Sequence, residues 1–246
     1  MKTLVVIPAR YASTRLPGKP LLSIAGIPLV VRVLRQASRC TSVTDVLVAT
    51  DDQRIADVVR AEGGQVMMTP PELPSGGDRV AFAAREYGHA DVVFNIQVDD
   101  PLVGPDMIDP LVDLLAKDPS VSLGVLAKAI EDKAEEADPG IVKMVFDENM
   151  RALYFSRSPI PFRRNPGAVL YKHIGPYAFR RDFLLQFCEW GPTPLERSES
   201  LEMLRVLEKG HEIRCLETSR DTIEVDSPGD IVKLEAYILE HGDDLA

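Results

Sequence analysis

The sequence predicts an α/β protein built on a mostly parallel sheet, with a smaller mixed α+β subregion embedded at about 130–205. Three observations carry this. Leu4 to Ile7 is an unbroken aliphatic run, the pattern of a strand buried on both faces. Strand-like and helix-like stretches then alternate as far as Gln97, which implies parallel strands joined by helical crossovers. From about residue 120 strand-like segments follow one another with fewer helices between them, which suggests a mixed sheet leaving the doubly wound core. The 246 residues could form one large domain or two small ones; with no repeat, low-complexity tract or long linker, one domain over 1–246 is preferred.

In chain order, Pro8 lacks the donor that a central ladder needs, and Pro17-Gly18 and Pro20 make a stiff turning loop, so the chain should leave the sheet at about residue 8. Pro28 opens a helix with apolar residues at Leu29, Val30, Val33, Leu34 and Ala37. Asp45 to Thr50 is the second strand, and Asp51-Asp52 caps a helix that stops at Gly63-Gly64. Val66 to Met68 is a third strand, Ser75-Gly76-Gly77-Asp78-Arg79 opens a helix, and Asp91 to Gln97 is a fourth strand. Later strands are expected at Ser122 to Lys128, Val142 to Phe146, Ala152 to Phe155, Lys172 to Phe179, Ile213 to Leu216 and Thr222 to Val225. Pro194 opens a helix that turns Leu201, Leu204 and Leu207 to the core and places Glu199 and Glu202 on another face. Asp226 has the look of an N-cap or near-cap residue for the last helix, with Pro228 in its first turn.

Composition narrows the function. The formal charge is −10, from 38 acids against 28 bases, which argues against nucleic acid or an anionic membrane as main partner. An anionic small substrate must then be held by a local basic cluster. Cys40, Cys188 and Cys215 are odd in number and widely spaced, which suggests a reducing compartment and no structural zinc. With no secretory signal and no apolar run near the roughly 20 residues that span a bilayer, a cytoplasmic protein is expected.

The loop after the first strand carries Arg10, Arg15 and Lys19 and no acid. It reads either as solvated surface or as an anion site, for which a triphosphate suits three cations and several free N–H groups best. It is not a Walker loop, because Pro20 follows Gly18-Lys19. Asp99 and Asp100 lie beyond the carboxyl end of the fourth strand, where they form either an acidic turn or a site for a hard cation shared with phosphate oxygens. The basic, proline-braced stretch from Arg157 to Gly167 is a surface loop or a closure over an acidic ligand.

Pro8-Ala9-Arg10-Tyr11-Ala12-Ser13-Thr14-Arg15-Leu16-Pro17-Gly18-Lys19-Pro20-Leu21 resembles the nucleotide-binding signature of the CMP-Kdo synthetases, the 3-deoxy-manno-octulosonate cytidylyltransferases. Asn95-Ile96-Gln97-Val98-Asp99-Asp100-Pro101 is similar to that family's Gln-Gly-Asp-Glu-Pro, Val225-Asp226-Ser227-Pro228 to its Val-Asp-Thr-Pro, and Ser75-Gly76-Gly77-Asp78-Arg79 to its Ser-Gly-Thr-Asp-Arg. The segments 152–157, 172–177 and 195–205 are similar to those that line its sugar-acid pocket and dimer contact.

The resemblance implies a three-layer nucleotidyltransferase fold that transfers CMP from CTP to 3-deoxy-D-manno-octulosonate (Kdo) and releases pyrophosphate, for lipopolysaccharide synthesis. It implies that Pro8, Ala9, Arg10, Ser13, Arg15 and Lys19 bind the nucleotide, Arg10, Arg15 and Lys19 at its triphosphate, and that Ser75, Arg79 and Gln97 read base and ribose. It also implies Mg²⁺ on Asp99 and Asp226, a catalytic set of Arg10, Arg15, Lys19, Asp99 and Asp226, sugar contacts from Arg157, His173, Tyr177, Glu199 and Glu202, and a homodimer. Val98 stands where glycine is usual, Asp100 where glutamate is, and Met203 where a glutamine commonly touches the sugar. These departures leave 8-amino-Kdo or another sugar acid as alternative acceptors, and a non-catalytic nucleotide-binding protein as the rival from outside enzymes.

Overall fold

The computed structural model describes residues 1–12, 16–165 and 167–242. Strand β1 (Thr3–Ala9) leads through a short 3-10 turn (Lys19–Leu21) and a ribbon of β2 (Ser23–Ile24) and β3 (Ile27–Pro28) into α1 (Leu29–Ser38). Then come β4 (Asp45–Thr50), α2 (Gln53–Ala61), β5 (Gln65–Met68), α3 (Gly76–Tyr87), β6 (Val92–Asn95) and α4 (Pro105–Lys117). The second half runs β7 (Leu123–Ala129), α5 (Lys133–Ala137), β8 (Lys143–Phe146), β9 (Ala152–Ser156), β10 (Tyr171–Arg180), α6 (Arg181–Glu189), α7 (Pro194–Glu199), α8 (Met203–Glu208), β11 (Arg214–Glu217) and α9 (Pro228–His241).

The main sheet has the order β11-β7-β10-β6-β1-β4-β5. The block β6-β1-β4-β5 is parallel, as the alternation predicts, and β11 is parallel to β7. The long β10 runs antiparallel between β6 and β7, and its start also pairs with β8, which pairs with β9. The mixed region is therefore hydrogen-bonded into the same sheet.

Alternation along the strands builds two cores and hence three layers. Val5, Ile7 and Val48 face α1, α2 and α4 in a cluster with Val30, Ile55 and Met107. Leu4, Val6 and Leu47 face the opposite side, where Val80, Phe183 and Leu204 bring in α3, α6 and α8. Side chains of period two must divide in this way when both faces are covered.

The structure corrects three readings and refines a fourth. Pro8 stays in the sheet, and β1 pairs with β4 as far as Ala9↔Thr50. The Ile96 N–H donates to the Val6 carbonyl, so even-numbered residues of β1 face β6, and β6 ends at Asn95; the donor missing from Pro8 therefore falls beyond that ladder. The helix expected from Pro194 through Leu207 is two helices, because Ser200 takes a left-handed φ of 54°. Thr222 to Val225 is not a strand but part of an extended connection to α9. The helix α9 is capped by Ser227, which forms a capping box with Asp230, and Asp226 is thereby left for other partners. Helices α5 and α6, for which the sequence pattern gave no signal, complete the second half.

Candidate active site

The carboxyl ends of β1 and β6 and the approach to α9 converge at one point. Lys19 is held in place by the turn before it: Gly18 adopts a left-handed φ of 72°, and its N–H donates to the Tyr11 carbonyl at 3.0 Å. A side chain at residue 18 would also press on the Tyr11 ring, since its Cβ would lie 3.1 Å from Cε2. The Lys19 side chain is buried, and its ammonium donates to Asp99 Oδ2 at 2.5 Å and to Asp226 Oδ1 at 3.0 Å. A buried ammonium must be paired, and here two carboxylates do so. The Val225 N–H donates to the Asp99 carbonyl at 2.8 Å, which brings together carboxylates 127 positions apart in sequence.

Among the described residues no three His, Cys, Asp or Glu side chains cluster as a metal site. The Asp99–Asp226 pair nonetheless fits a hard cation, because it offers only oxygen donors and already surrounds one positive group. Such an ion would complete its coordination from phosphate and water.

Arg10 is exposed at the end of β1, and Pro8 and Ala9 are buried beside it. Ser13 and Arg15 lie outside the described residues. Ser75 caps α3: its hydroxyl accepts from the Asp78 N–H at 3.1 Å and donates to Asp78 Oδ2 at 2.6 Å. This turn meets the β1 and β6 ends, since a Cβ on Gly76 would lie 3.4 Å from Gln97 Oε1 and 3.6 Å from Pro8 Cγ. Gln97 is exposed and donates from Nε2 to Asn95 Oδ1 at 2.8 Å. Arg79, by contrast, is only 2% exposed and donates to Thr69 Oγ1 and to Asp51 Oδ2, the latter at 3.0 Å. It braces the turn from beneath against the end of β4. Outside these residues, Arg54 of α2 stacks on Tyr11 at 3.5 Å from the ring centre.

A cavity of about 700 Å³ adjoins the Lys19 site, and Gln97, Asp100, Arg157, His173, Tyr177 and Asp226 are among its lining residues. Three of the expected sugar residues thus share one wall system, whereas Glu199 and Glu202 do not line it. The break at Ser200 separates those two carboxylates. Glu199 accepts from Ser156 Oγ at 2.7 Å and from the Arg157 N–H at 3.0 Å, and Arg157 Nε donates back to the Glu199 carbonyl at 2.8 Å. Those N–H and hydroxyl donors hold its carboxyl below the usual range. Glu199 therefore orients Arg157 from behind. Glu202 abuts the other turn, with Oε2 3.5 Å from where a Cβ on Gly77 would lie, and burial pushes its carboxyl up against the opposing pull of Arg205. Met203 is buried in the core with Val80 and Leu204, away from the cavity lining, and Val98 is likewise a core residue.

His173 stacks on Tyr177 at 5.1 Å between ring centres, and burial pulls its pKa down to about 4, so the imidazole is neutral near pH 7. Burial, then Glu202 and Glu224, push the Tyr177 phenol well up. Burial, then Glu224 and Asp99, push the Asp100 carboxyl well above the usual carboxylate range. Lys172, a lining residue to which the sequence gave no role, is buried between Glu135 Oε1 at 2.5 Å and Asp221 Oδ1 at 2.9 Å. Its one legible signal is parity, since a lysine falls on the buried side of a strand. In the loop after β9, Arg163 pairs with Glu136 at 2.6 Å while Phe162 is exposed.

A mostly parallel sheet that gathers a lysine, two aspartates and a capped glycine turn at its carboxyl edge, beside a polar cavity, defines a nucleotidyltransferase of the α/β class. A family model described as cytidylyltransferase matches residues 4–213. The chain is 46% identical over 246 residues to the 3-deoxy-manno-octulosonate cytidylyltransferase of Geobacter metallireducens, covering 95% of this chain and 96% of that one. Identity is 47% over 242 residues to the protein of the same name from Desulfosudis oleivorans, covering 97% and 98%. A solved CMP:2-keto-3-deoxy-manno-octonic acid synthetase complexed with CTP superposes with a TM-score of 0.93 at 40% identity, covering 98% of this chain and 99% of that one. The chain belongs to the 3-deoxy-manno-octulosonate cytidylyltransferase family. A 4-diphosphocytidyl-2C-methyl-D-erythritol synthase from Anaerococcus prevotii, at 14% identity and a TM-score of 0.67, shares the fold alone.

Proposed function

We propose that the chain transfers CMP from CTP to the anomeric hydroxyl of Kdo and releases pyrophosphate. The observation that carries this reading is the Lys19 ammonium set between Asp99 and Asp226, the latter a lining residue of the cavity. The family and the CTP complex of a structural relative support it.

In this reading the hydroxyl attacks the α-phosphorus in line with no covalent enzyme intermediate, so the protein works by positioning and by neutralising charge. Arg10, Arg15 and Lys19 hold the triphosphate; Lys19 also meets the charge that grows on the departing pyrophosphate. Asp99 and Asp226 would hold Mg²⁺, which when bound polarises the α-phosphate and favours ionisation of the acceptor hydroxyl. Ser75 and Gln97 face the base and ribose, with Arg79 fixing the turn that carries Ser75. Arg157 pairs with the acceptor's carboxylate, held in its orientation by Glu199. His173 and Tyr177 contact the sugar from β10, and the neutral imidazole adds no charge to the cavity. Glu202 acts through the Gly76–Gly77 turn.

The reading extends to a homodimer joined through the β8–β9 region. Leu153, Phe162 and Val169 are all more than half exposed there, and among the described strands β9 forms a ladder with β8 alone. Among the described residues no helix is long and apolar enough to cross a membrane.

Pyrophosphate release from CTP and Mg²⁺, with Kdo, 8-amino-Kdo or no sugar, tests the reaction. Release that depends on Kdo is the expected result. Release only with 8-amino-Kdo would move the acceptor to the amino sugar, and CTP binding without release in any arm would leave a nucleotide-binding protein.

A further inference from the structure

Asp100 follows a proposed metal ligand in sequence yet belongs to the other side of the site. It is 5% exposed and lines the sugar cavity, and no ion pair joins it to Lys19 as one joins Asp99. Its Oδ1 is buried and has no hydrogen-bond partner among the described residues. Next to it, β10 departs from its register with β7 between Ile174 and Ala178. In that interval lies Gly175, whose absent Cβ would sit 3.8 Å from Asp100 Oδ2. At Gly175 the strand thus brings no side chain up against this carboxyl, and both residues line the cavity.

A second buried polar atom without a partner, Nε2 of His173, lies on the same strand two residues before Gly175 and belongs to another lining residue of the same cavity. A buried polar atom left unpaired is unfavourable, and native proteins keep few of them. Two in one cavity wall, one on a carboxyl and one on an imidazole, point to a ligand that brings its own donors and acceptors. A hydroxyl group does both at once, accepting from one neighbour and donating to another.

We propose that Asp100, together with His173, holds a hydroxyl of the acceptor's polyol portion and so helps to select the sugar. The assignment rests on the Kdo cytidylyltransferase reading. It makes Asp100 a specificity-determining residue, distinct in role from Asp99 beside it. A shorter carboxyl than the glutamate to which its position is similar sets the depth at which that hydroxyl is held.

The test is steady-state pyrophosphate release by the full chain and by Asp100→Ala and Asp100→Asn, with Kdo and with a set of monodeoxy Kdo analogues. The expected result for Asp100→Ala is a KM for Kdo raised about 10- to 100-fold, the range for leaving a buried hydrogen-bonding group without its partner. The KM for CTP and the half-saturating Mg²⁺ concentration should stay within about 3-fold, and the penalty should shrink to about 3-fold or less with one analogue, the one lacking the hydroxyl that Asp100 holds. Equal penalties on every analogue, or a shift in Mg²⁺ demand as large as the shift in KM for Kdo, would overturn the assignment. Asp100→Asn, nearly the same size, separates lost recognition from lost folding: a native melting temperature with an unchanged KM for Kdo also overturns it. If the unsubstituted chain releases no pyrophosphate from CTP and Kdo, the parent reading falls, and this one with it.

Discussion

The Val225 N–H donates to the Asp99 carbonyl at 2.8 Å, and through that bond the approach to α9 is fastened to the end of β6. Asp226, one residue on, is presented to Lys19 opposite Asp99. Two carboxylates from distant parts of the chain thus face one ammonium because a main-chain contact, which no side chain specifies, sets their spacing.

If the ammonium meets charge that grows in the transition state, as proposed, replacing Lys19 with alanine should lower kcat about 1,000-fold while the dissociation constant for CTP changes about 10-fold or less. Single-turnover rates set against CTP titration measure the split. Equal losses in both would make Lys19 a binding residue only.

Asp226→Asn removes one charge from a pair whose cap and helix are supplied by other residues, Ser227 and Asp230. Activity should fall at least about 100-fold with Mg²⁺ saturation moved to higher concentration, while the melting temperature shifts by about 4 °C or less. A metal titration monitored by activity, with thermal unfolding in parallel, distinguishes this from a folding defect.

Burial lowers the His173 pKa to about 4, below its ordinary value near 6.5, so between these values the unfolded chain binds a proton that the native chain refuses. Stability from this group is therefore present above about pH 6.5 and lost as pH falls toward 4, roughly 2 kcal/mol of it between pH 7 and pH 5. Denaturant unfolding at the two pH values should show that increment in the unsubstituted chain and not in His173→Gln. The KM for sugar should accordingly lack an inflection near pH 6.5 from this imidazole.

Arg205 and Glu196 form a buried ion pair between α8 and α7, and Arg205 also donates to the Trp190 carbonyl at 3.2 Å. Arg205→Leu leaves the Glu196 carboxylate buried and unpartnered by the guanidinium, which should cost about 3–5 kcal/mol. The double variant Arg205→Leu with Glu196→Gln should recover a large part of that loss. Urea unfolding of both variants checks the non-additivity.

The nucleotide side of the site was legible because its residues lie close in sequence: the segment from Pro8 to Leu21 and the strand end at Asp99 announce themselves by proline, glycine and charge at the end of an apolar run. The sugar side was less so. Leu201, Leu204 and Leu207 keep a helical period directly after Ser200, and nothing in that pattern signals the left-handed residue that divides the helix and parts Glu199 from Glu202. Lys172 and Asp100 were harder still. Charged residues at buried positions run against the rule by which strands are read, and the partners that make Lys172 tolerable, Glu135 and Asp221, lie 37 and 49 residues away. Helix α6 follows β10 with no turn between them, so no break in the pattern announced it.

The pairing of Lys19 with both aspartates also bears on how the protein endures scarcity. With a cation built into the chain, one of the two negative charges is offset before any ion arrives, and the pair's repulsion is not left to the solvent alone to quench. Chelators should therefore silence the protein without melting it. A cell short of divalent ions would then keep a folded, idle reserve that resumes work when supply returns, and would not need to make the protein afresh.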